Sequence, residues 1–503
     1  MQYTNVVPGS EVAGVDWTAS VDGNAVDSRP DAALPPTTIL PRPCAAIPLV
    51  LGLLGALAAS GCATLSPDAG FGAMKDIITA RGGQEALWAR TDADAEAIHT
   101  TVRQVLTHPL SVDDAVHIAL INNRGLQATY AELGISETEL VEASWPRNPG
   151  FAFSHLQGGG DKEIERSFTL ELVSLLTIPL RTRIERERLA ATQLAVAAAV
   201  LDVAGQARRA YYRTVSAQQA VQSMQQVQVA AEASAELARR MAKAGNWGKL
   251  EQAREESFYA DATAQVARAR QVAVNEREKL IRVLGLSGTD TEFKLPERLP
   301  DLPTSIADAT DIEARALADR LDVQSAKKEV QSLAASLGLT KTTRFINVLE
   351  AGFRTKSETG LPLKRGYEVS VELPLFDWTG AKVARAEYLY MQGVNRAAEV
   401  AIDARSEVRE GYSAYHTTYE LARHYRDRVV PLRKQIADEN QLRYNGMLIS
   451  VFELLTDARE QVAAVNASIE ALRDFLLAET DLQLAMTGSS SAFNRAASRA
   501  PMR

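Results

Sequence analysis

Cysteine is almost missing from this chain of 503 residues: there are only Cys44 and Cys62, too few for a disulfide framework. Aromatic residues make up 6% although 46% of residues are hydrophobic, and alanine is abundant, which favours long helices over a dense globular core. Positive charge is not in excess; the net charge of −8 argues against nucleic-acid binding, which needs a basic face. The most prominent apolar run, residues 45–59, is about 15 residues long, short of the ~20 that a bilayer-spanning helix needs. Catalytic constellations are absent too. The six histidines (His99, His108, His117, His155, His416, His424) are scattered, and His416 and His424 sit two helical turns apart, too far to ligate one metal jointly. Gly158-Gly159-Gly160 is not followed by Lys-Ser/Thr, so it is no phosphate loop, and no Ser/His/Asp set is visible.

The apolar run is informative in its setting. Arg42 precedes it, and it ends in Ala59-Ser60-Gly61-Cys62, small residues that suit a peptidase cleft in front of a nucleophilic thiol. This resembles a bacterial lipobox, with Ala59 where leucine is usual; the competing reading is a buried cysteine in an apolar helix. On the lipobox reading Cys62 carries a covalent lipid and becomes the first residue of the mature chain. Ala63 follows it rather than aspartate, which points to the outer membrane. Residues 1–40 are polar, proline-rich and lack a basic start, and no methionine lies between Met1 and Met74. Translation is therefore expected to start at a non-methionine codon within 26–40; peptides from residues 1–25 in a mass spectrum would refute that.

Beyond Pro109 the chain repeats itself. Asn122-Asn123-Arg124-Gly125-Leu126-Gln127 lies under Asp319-Arg320-Leu321-Asp322-Val323-Gln324, Thr177-Ile178-Pro179-Leu180 under Glu372-Leu373-Pro374-Leu375, and Ala244-Gly245 under Asn445-Gly446. Landmarks in the same order at a nearly constant offset indicate an internal duplication. Each half predicts a first helix (111–144; 308–341), two strands, a very long helix (181–241; 380–442), a turn at Gly245 or Gly446, and a return helix (248–284; 449–486). Ser111 is placed to cap the first helix, with Asp114 three residues on. Roughly sixty helical residues reach ~90 Å, a coiled coil rather than a globule.

The strand candidates alternate. Ser167 to Leu172 and Tyr367 to Leu373 place Phe168, Leu170, Leu172, Tyr367, Val369 and Val371 on one face, and Glu171, Glu368, Ser370 and Glu372 on the other. Asn148–Ser154 and Phe345–Arg354 are their weaker partners. A transmembrane strand needs ~9–11 residues, but four strands cannot close a barrel, and open edges are not tolerated in lipid. The strands either pair with other copies of the chain, three copies making twelve strands, or form a small soluble sheet packed on the helices.

Over about residues 110–487 the chain resembles the TolC-type outer-membrane efflux proteins, in their lipoprotein branch. The resemblance lies in ALINNRGLQA, SWPRNPGFAFS, the paired strand-to-Pro-Leu junctions and, most specifically, RYNGMLISVFELLTDARE with Tyr444, Gly446, Ser450, Glu453, Leu454 and Leu455. The first-half counterpart, MAKAGNWGKLEQAREE, is degenerate, and Leu321 stands where proline is usual. The resemblance implies a mainly α fold with a small β part. Duplicated long helical hairpins and four transmembrane β-strands would trimerise into a 12-stranded barrel and a periplasmic helical barrel. It implies a non-enzymatic exit duct without cofactors. Its partners would be a periplasmic adaptor and an inner-membrane pump of the resistance-nodulation-division type. The expected organisation is an extension and signal over 1–61, a lipidated periplasmic segment over 62–109, repeats over 110–290 and 308–487 joined by a linker at 291–307, and a disordered tail over 488–503. The alternative is a periplasmic coiled-coil scaffold or adaptor lipoprotein without a pore.

On this reading Gly245, Tyr444, Gly446 and Glu453 belong to the periplasmic aperture. Glycine suits the positive-φ turn between helices. Tyr444 is placed to hold the tip closed, and Glu453, about two turns into the return helix, would form a ring of three carboxylates. The competing role for Glu453 is a structural ion pair with Arg443 or with an arginine of a neighbouring chain. Tyr211, Tyr212, Tyr412 and Tyr415, at helical spacing, are expected to pack rather than to stack on substrate. The outward strand residues Phe168, Leu170, Leu172, Tyr367, Val369 and Val371 would meet lipid.

Overall fold

The computed structural model describes residues 64–81, 83–306, 311–345, 348–372 and 380–488. Cys62, the signal segment before it, the Leu373-Pro374-Leu375 junction and the tail from Ser489 lie outside these residues.

Two short helices, α1 (Phe71–Thr79) and α2 (Asp92–Val105), precede the repeated part. They bury Met74, Ile78, Ile98 and Val102 in the main core, and Phe71 meets Tyr130 edge to face with ring centroids 5.1 Å apart. Thr91 and Asp94 form a capping box at α2, and Ser111 and Asp114 form the expected one at α3 (Val112–Asn122). Each box satisfies two N–H groups that a helix start otherwise leaves unpaired.

The first predicted helix is two helices. After α3, Asn123 turns extended (φ −67°, ψ 116°) and caps α4 (Arg124–Ser144) by accepting from the Leu126 N–H. The second half breaks at Arg320, between α7 (Ile312–Asp319) and α8 (Leu321–Thr342). The breaks have one cause: each receives the C-terminus of a return helix. The Asn122 amide donates to the Leu284 and Gly285 carbonyls, and Asn123 to that of Val283, where α6 (Lys249–Leu284) ends. Arg320, 1% exposed, donates to the Ala485 carbonyl near the end of α11 (Val451–Thr487) and to the carboxylates of Asp322 and Glu407. Burial works against its charge, but the two carboxylates outweigh it and hold the guanidinium above its usual range. Gly285 and Gly488 close these joints with positive φ. A side chain on Gly285 would stand 2.7 Å from the Asn122 carbonyl oxygen, and one on Gly488 2.4 Å from Asp322 Oδ1.

The hairpins are β1 (Gly150–Gly158) with β2 (Asp161–Glu171), and β3 (Leu349–Glu358) with β4 (Lys364–Val371). They join in one antiparallel sheet of order β1-β2-β3-β4. Both outer strands run further toward the hairpin tips than alternation alone predicts. Leu172 is not in a strand: it opens α5 (Leu172–Lys243), whose 72 residues extend ~108 Å. This helix starts ahead of Pro179, not after it. The ring removes one main-chain donor, while Thr177 donates its hydroxyl to Val173 O and Arg181 reaches Ser174 O. The second long helix, unlike α5, is not continuous. α9 (Gly380–His424) passes through a π-turn at Tyr425–Val429 into α10 (Val430–Asn445). Pro431 at the start of α10 has no N–H and crowds the preceding turn, and the wider π-turn accommodates it.

Helix α5 packs along α6, α8 and α11, and α9 along α8 and α11. The main core sits at mid-length, where α3, the middle of α5, the end of α6 and the Tyr419–Phe475 region meet. Tyr211 and Tyr212 are buried there, Tyr211 donating to the Leu110 carbonyl, and Tyr415 stacks on Phe475 at 5.5 Å.

Candidate functional site

The sheet is exposed on both faces and open at both edges. Cross-strand partners share a face, so register assigns every side chain. Phe151, Phe168, Phe353 and Tyr367 form one row, and Leu170, Ala351 and Val369 the next toward the helices, with Leu349 and Val371 beyond. These side chains stand in the open: Tyr367 is 88% exposed, Phe151 69% and Val369 68%. A contiguous exposed apolar patch of this kind marks a surface that meets a membrane, a partner or a ligand. The opposite face carries all seven carboxylates of the four strands: Asp161, Glu163, Glu165, Glu171, Glu350, Glu358 and Glu368. They are cross-linked. Arg354 bridges Glu165 and Glu368 at 2.8 Å each, Lys356 bridges Glu163 and Glu358 at 2.8 and 2.9 Å, and Lys364 reaches Glu358 at 3.1 Å. Exposed, solvent-screened pairs of this kind add little to stability, so the apolar/charged division concerns surroundings more than stability. Phe168, Leu170, Tyr367, Val369 and Val371 thus lie on one face, while Leu172 belongs to the helix below.

At the far end of the long helices are the two turns. Gly245 has φ 77°. The Asn246 N–H reaches Met241 O and the Gly245 N–H reaches Ala242 O, the pair of bonds that ends a helix through a left-handed residue. The second turn departs from expectation. Gly446 is right-handed at φ −81°, and the left-handed residue is Met447, φ 57° and 93% exposed. The bonds shift by one residue accordingly, Met447 N–H to Tyr444 O and Leu448 N–H to Arg443 O, both 2.9 Å.

Glu453 is not two turns into the return helix but in the first turn of α11, where its N–H donates to the capping Ser450 hydroxyl at 3.3 Å. Arg443 pairs with Glu439 instead, at 3.3 Å. Tyr444 is 37% exposed and, among the described residues, its hydroxyl has no partner within the chain.

A stronger tie near the tips was not anticipated. Glu255 on α6 is 1% exposed; it accepts from the Ser234 hydroxyl at 2.5 Å and from Arg459 Nη2 on α11 at 2.7 Å. The Arg459 guanidinium also lies 3.6 Å over the Phe258 ring. This fastens the return helix of the first half to that of the second. Its signal is present in the sequence: Glu255, Ala262 and Val266 recur at the spacing of one buried helix stripe, and a carboxylate on such a stripe requires a cation.

A helical protomer with two long hairpins and an uncovered four-stranded sheet is the architecture of the TolC-type outer-membrane channels, and the chain has that fold. The structure of CusC, solved to follow folding and transmembrane channel formation, matches at TM-score 0.62 and 16% identity, over 75% of this chain and 92% of that one. The open-state MtrE outer-membrane channel of Neisseria gonorrhoeae matches at 0.61 and 16%, over 75% and 89%. The CmeC outer-membrane channel of Campylobacter jejuni matches at 0.60 and 15%, over 77% and 88%. No family model matches the sequence, and no curated protein does.

Proposed function

We propose that the chain is one protomer of a homotrimeric outer-membrane channel, the passive exit duct of a tripartite efflux system for small molecules or ions. The observation that carries this reading is the sheet. It is uncovered on both faces, apolar on one and charged on the other, with unpaired edges at β1 and β4. In water its apolar face is unfavourable, and in lipid its edges are. Three copies joined edge to edge, β4 of one to β1 of the next, resolve both problems by closing a twelve-stranded barrel. Phe168, Leu170, Tyr367, Val369 and Val371 then meet lipid, and the carboxylate face lines a wet lumen. A pore-less periplasmic scaffold has no use for such a sheet.

The helices would extend through the periplasm as a barrel ending at Gly245, Tyr444, Gly446 and Glu453, where an adaptor docks and an inner-membrane pump of the resistance-nodulation-division type delivers cargo. A lipid on Cys62 would add a second anchor. The repeats over 110–290 and 308–487 are the two halves of each protomer, and the duct, being passive, needs neither catalytic residues nor a cofactor. Glu453, unpaired within one chain among the described residues and set at the turn, supplies three carboxylates in the trimer; such a ring favours cations. Single-channel recording in planar bilayers tests both parts. Purified protein is expected to give discrete cation-selective steps, and Glu453→Gln to move the reversal potential toward zero. No steps would refute the duct; steps with unchanged reversal potentials would remove Glu453 as the selectivity ring.

A further inference from the structure

The apolar face of the sheet ends in cations. Counting from the helices, its rows run aliphatic (Leu170, Ala351, Val369), aromatic (Phe151, Phe168, Phe353, Tyr367), and then Phe153, Arg166, Thr355 and Arg365. His155 and Lys162 follow on the same face toward the tips, and this face carries no carboxylate on any strand. Arg166 and Arg365 are exposed, and among the described residues neither has an ion-pair partner, whereas Arg354, Lys356 and Lys364 on the opposite face are all paired. The division is by sign as well as by polarity.

Spacing places this row. Arg166 and Arg365 flank β3 on a shared row, about 9.6 Å apart at two interstrand spacings, with the Thr355 hydroxyl between. They stand one pleat repeat, ~6.8 Å, beyond the aromatic row. At the other end of the sheet Trp145 and Phe345 are exposed at the helix junction. From them to Phe153 and Thr355 of the arginine row is ~26–34 Å of extended chain, which at the ~40° tilt of a barrel strand rises ~20–26 Å, close to the ~25 Å height of the apolar band. The arginine row then falls at the edge of the hydrocarbon, at headgroup depth.

We propose that Arg166, Thr355 and Arg365 form a site for the phosphate groups of an anionic, multiply phosphorylated glycolipid in the outer leaflet. Guanidinium groups bind phosphate bidentately through paired N–H donors, and the threonine hydroxyl supplies a donor between them. The aromatic row beneath receives the acyl chains. Lysine in the same places would attract phosphate as a point charge only.

This inference rests on the outer-membrane reading, and the test separates the two. Full-length protein, extracted in detergent, is exchanged into phosphatidylcholine vesicles with or without diphosphorylated lipid A, and the lipid retained after repurification is measured by native mass spectrometry. Wild type is expected to retain lipid A over phosphatidylcholine and over dephosphorylated lipid A. The double variant Arg166→Gln, Arg365→Gln should lose about tenfold of that retention, while Lys356→Gln, on the other face, leaves it unchanged. Equal retention by the double variant, equal retention of the dephosphorylated lipid, or displacement by inorganic phosphate at equal concentration overturns the site. In parallel, Phe353→Trp adds emission that brominated acyl chains should quench. Quenching in the double-variant background shows the sheet folded and facing lipid, so that unchanged lipid A retention then counts against the arginine site alone. Absence of quenching in Phe353→Trp itself refutes the membrane reading and the site with it.

Discussion

Gly245 and Gly446 hold matching places at the two helical turns, yet their backbones have opposite hand. Gly245 is left-handed with open space where a side chain would go, while Gly446 is right-handed with its nearest neighbours at 3.5–3.7 Å, ordinary contact distance. Gly245→Ala should therefore destabilise the first turn by about 1 kcal/mol, and Gly446→Ala should be neutral or slightly stabilising. Amide exchange of the turn residues checks this; equal losses in both variants would contradict it. Glu479 offers a second residue-scale prediction. Burial raises its pKa above the ordinary 4.5, and nearby Arg208 only partly opposes that. The fold thus favours the protonated acid, and that contribution is complete below pH ~4.5 and lost as pH rises through the raised value. Glu479→Gln keeps the neutral form at all pH. Wild type should therefore lose melting temperature relative to the variant as pH rises from about 4.5, and parallel curves in a thermal titration would refute this. At this scale composition and pattern say least. The motif around Tyr444 identifies a turn, but which of Gly446 and Met447 takes the positive φ depends on where the helix's last hydrogen bonds close.

Among elements, the long helices are held by few but specific ties. Removing Arg459 leaves the Glu255 carboxylate buried with only the Ser234 hydroxyl. Because Arg459 is itself one-third exposed, the cost is set below that of a fully buried pair, at about 1–3 kcal/mol. Replacing both partners removes the uncompensated charge, so Arg459→Met should lower stability and speed amide exchange at the tip ends of α6 and α11 more than the pair Glu255→Met, Arg459→Met does. A double variant worse than the single one would show that the tie is not electrostatic. The existence and order of the elements follow from periodicity, because helices this long and strands this alternating repeat their pattern many times. Their interruptions do not. The breaks at Asn123 and Arg320 answer to carbonyls some 160 residues away in sequence, and the π-turn at Tyr425–Val429 is where the predicted single helix accommodates Pro431 at the start of α10. Leu172 fails as a strand residue for a related reason: alternation continues past Glu171, but the helix below takes the backbone first.

For the whole molecule, the decisive fact is that one chain cannot satisfy its own sheet. Alternation at Phe168–Leu170 and Tyr367–Val371 is legible in the sequence, and the register adds that Phe151 and Phe353 complete the same apolar surface while every strand carboxylate lies opposite. Copy number is not written in any one residue; on the proposed channel reading, four strands per chain would close a barrel only with partners, and three copies would give twelve strands. The measurement that bears most directly on this is the protein mass of the complex extracted by detergent from purified outer membranes, corrected for bound detergent. Three times the mature chain mass is the result that shared strands require. A stable monomer would leave β1 and β4 with open edges in lipid and would contradict the channel.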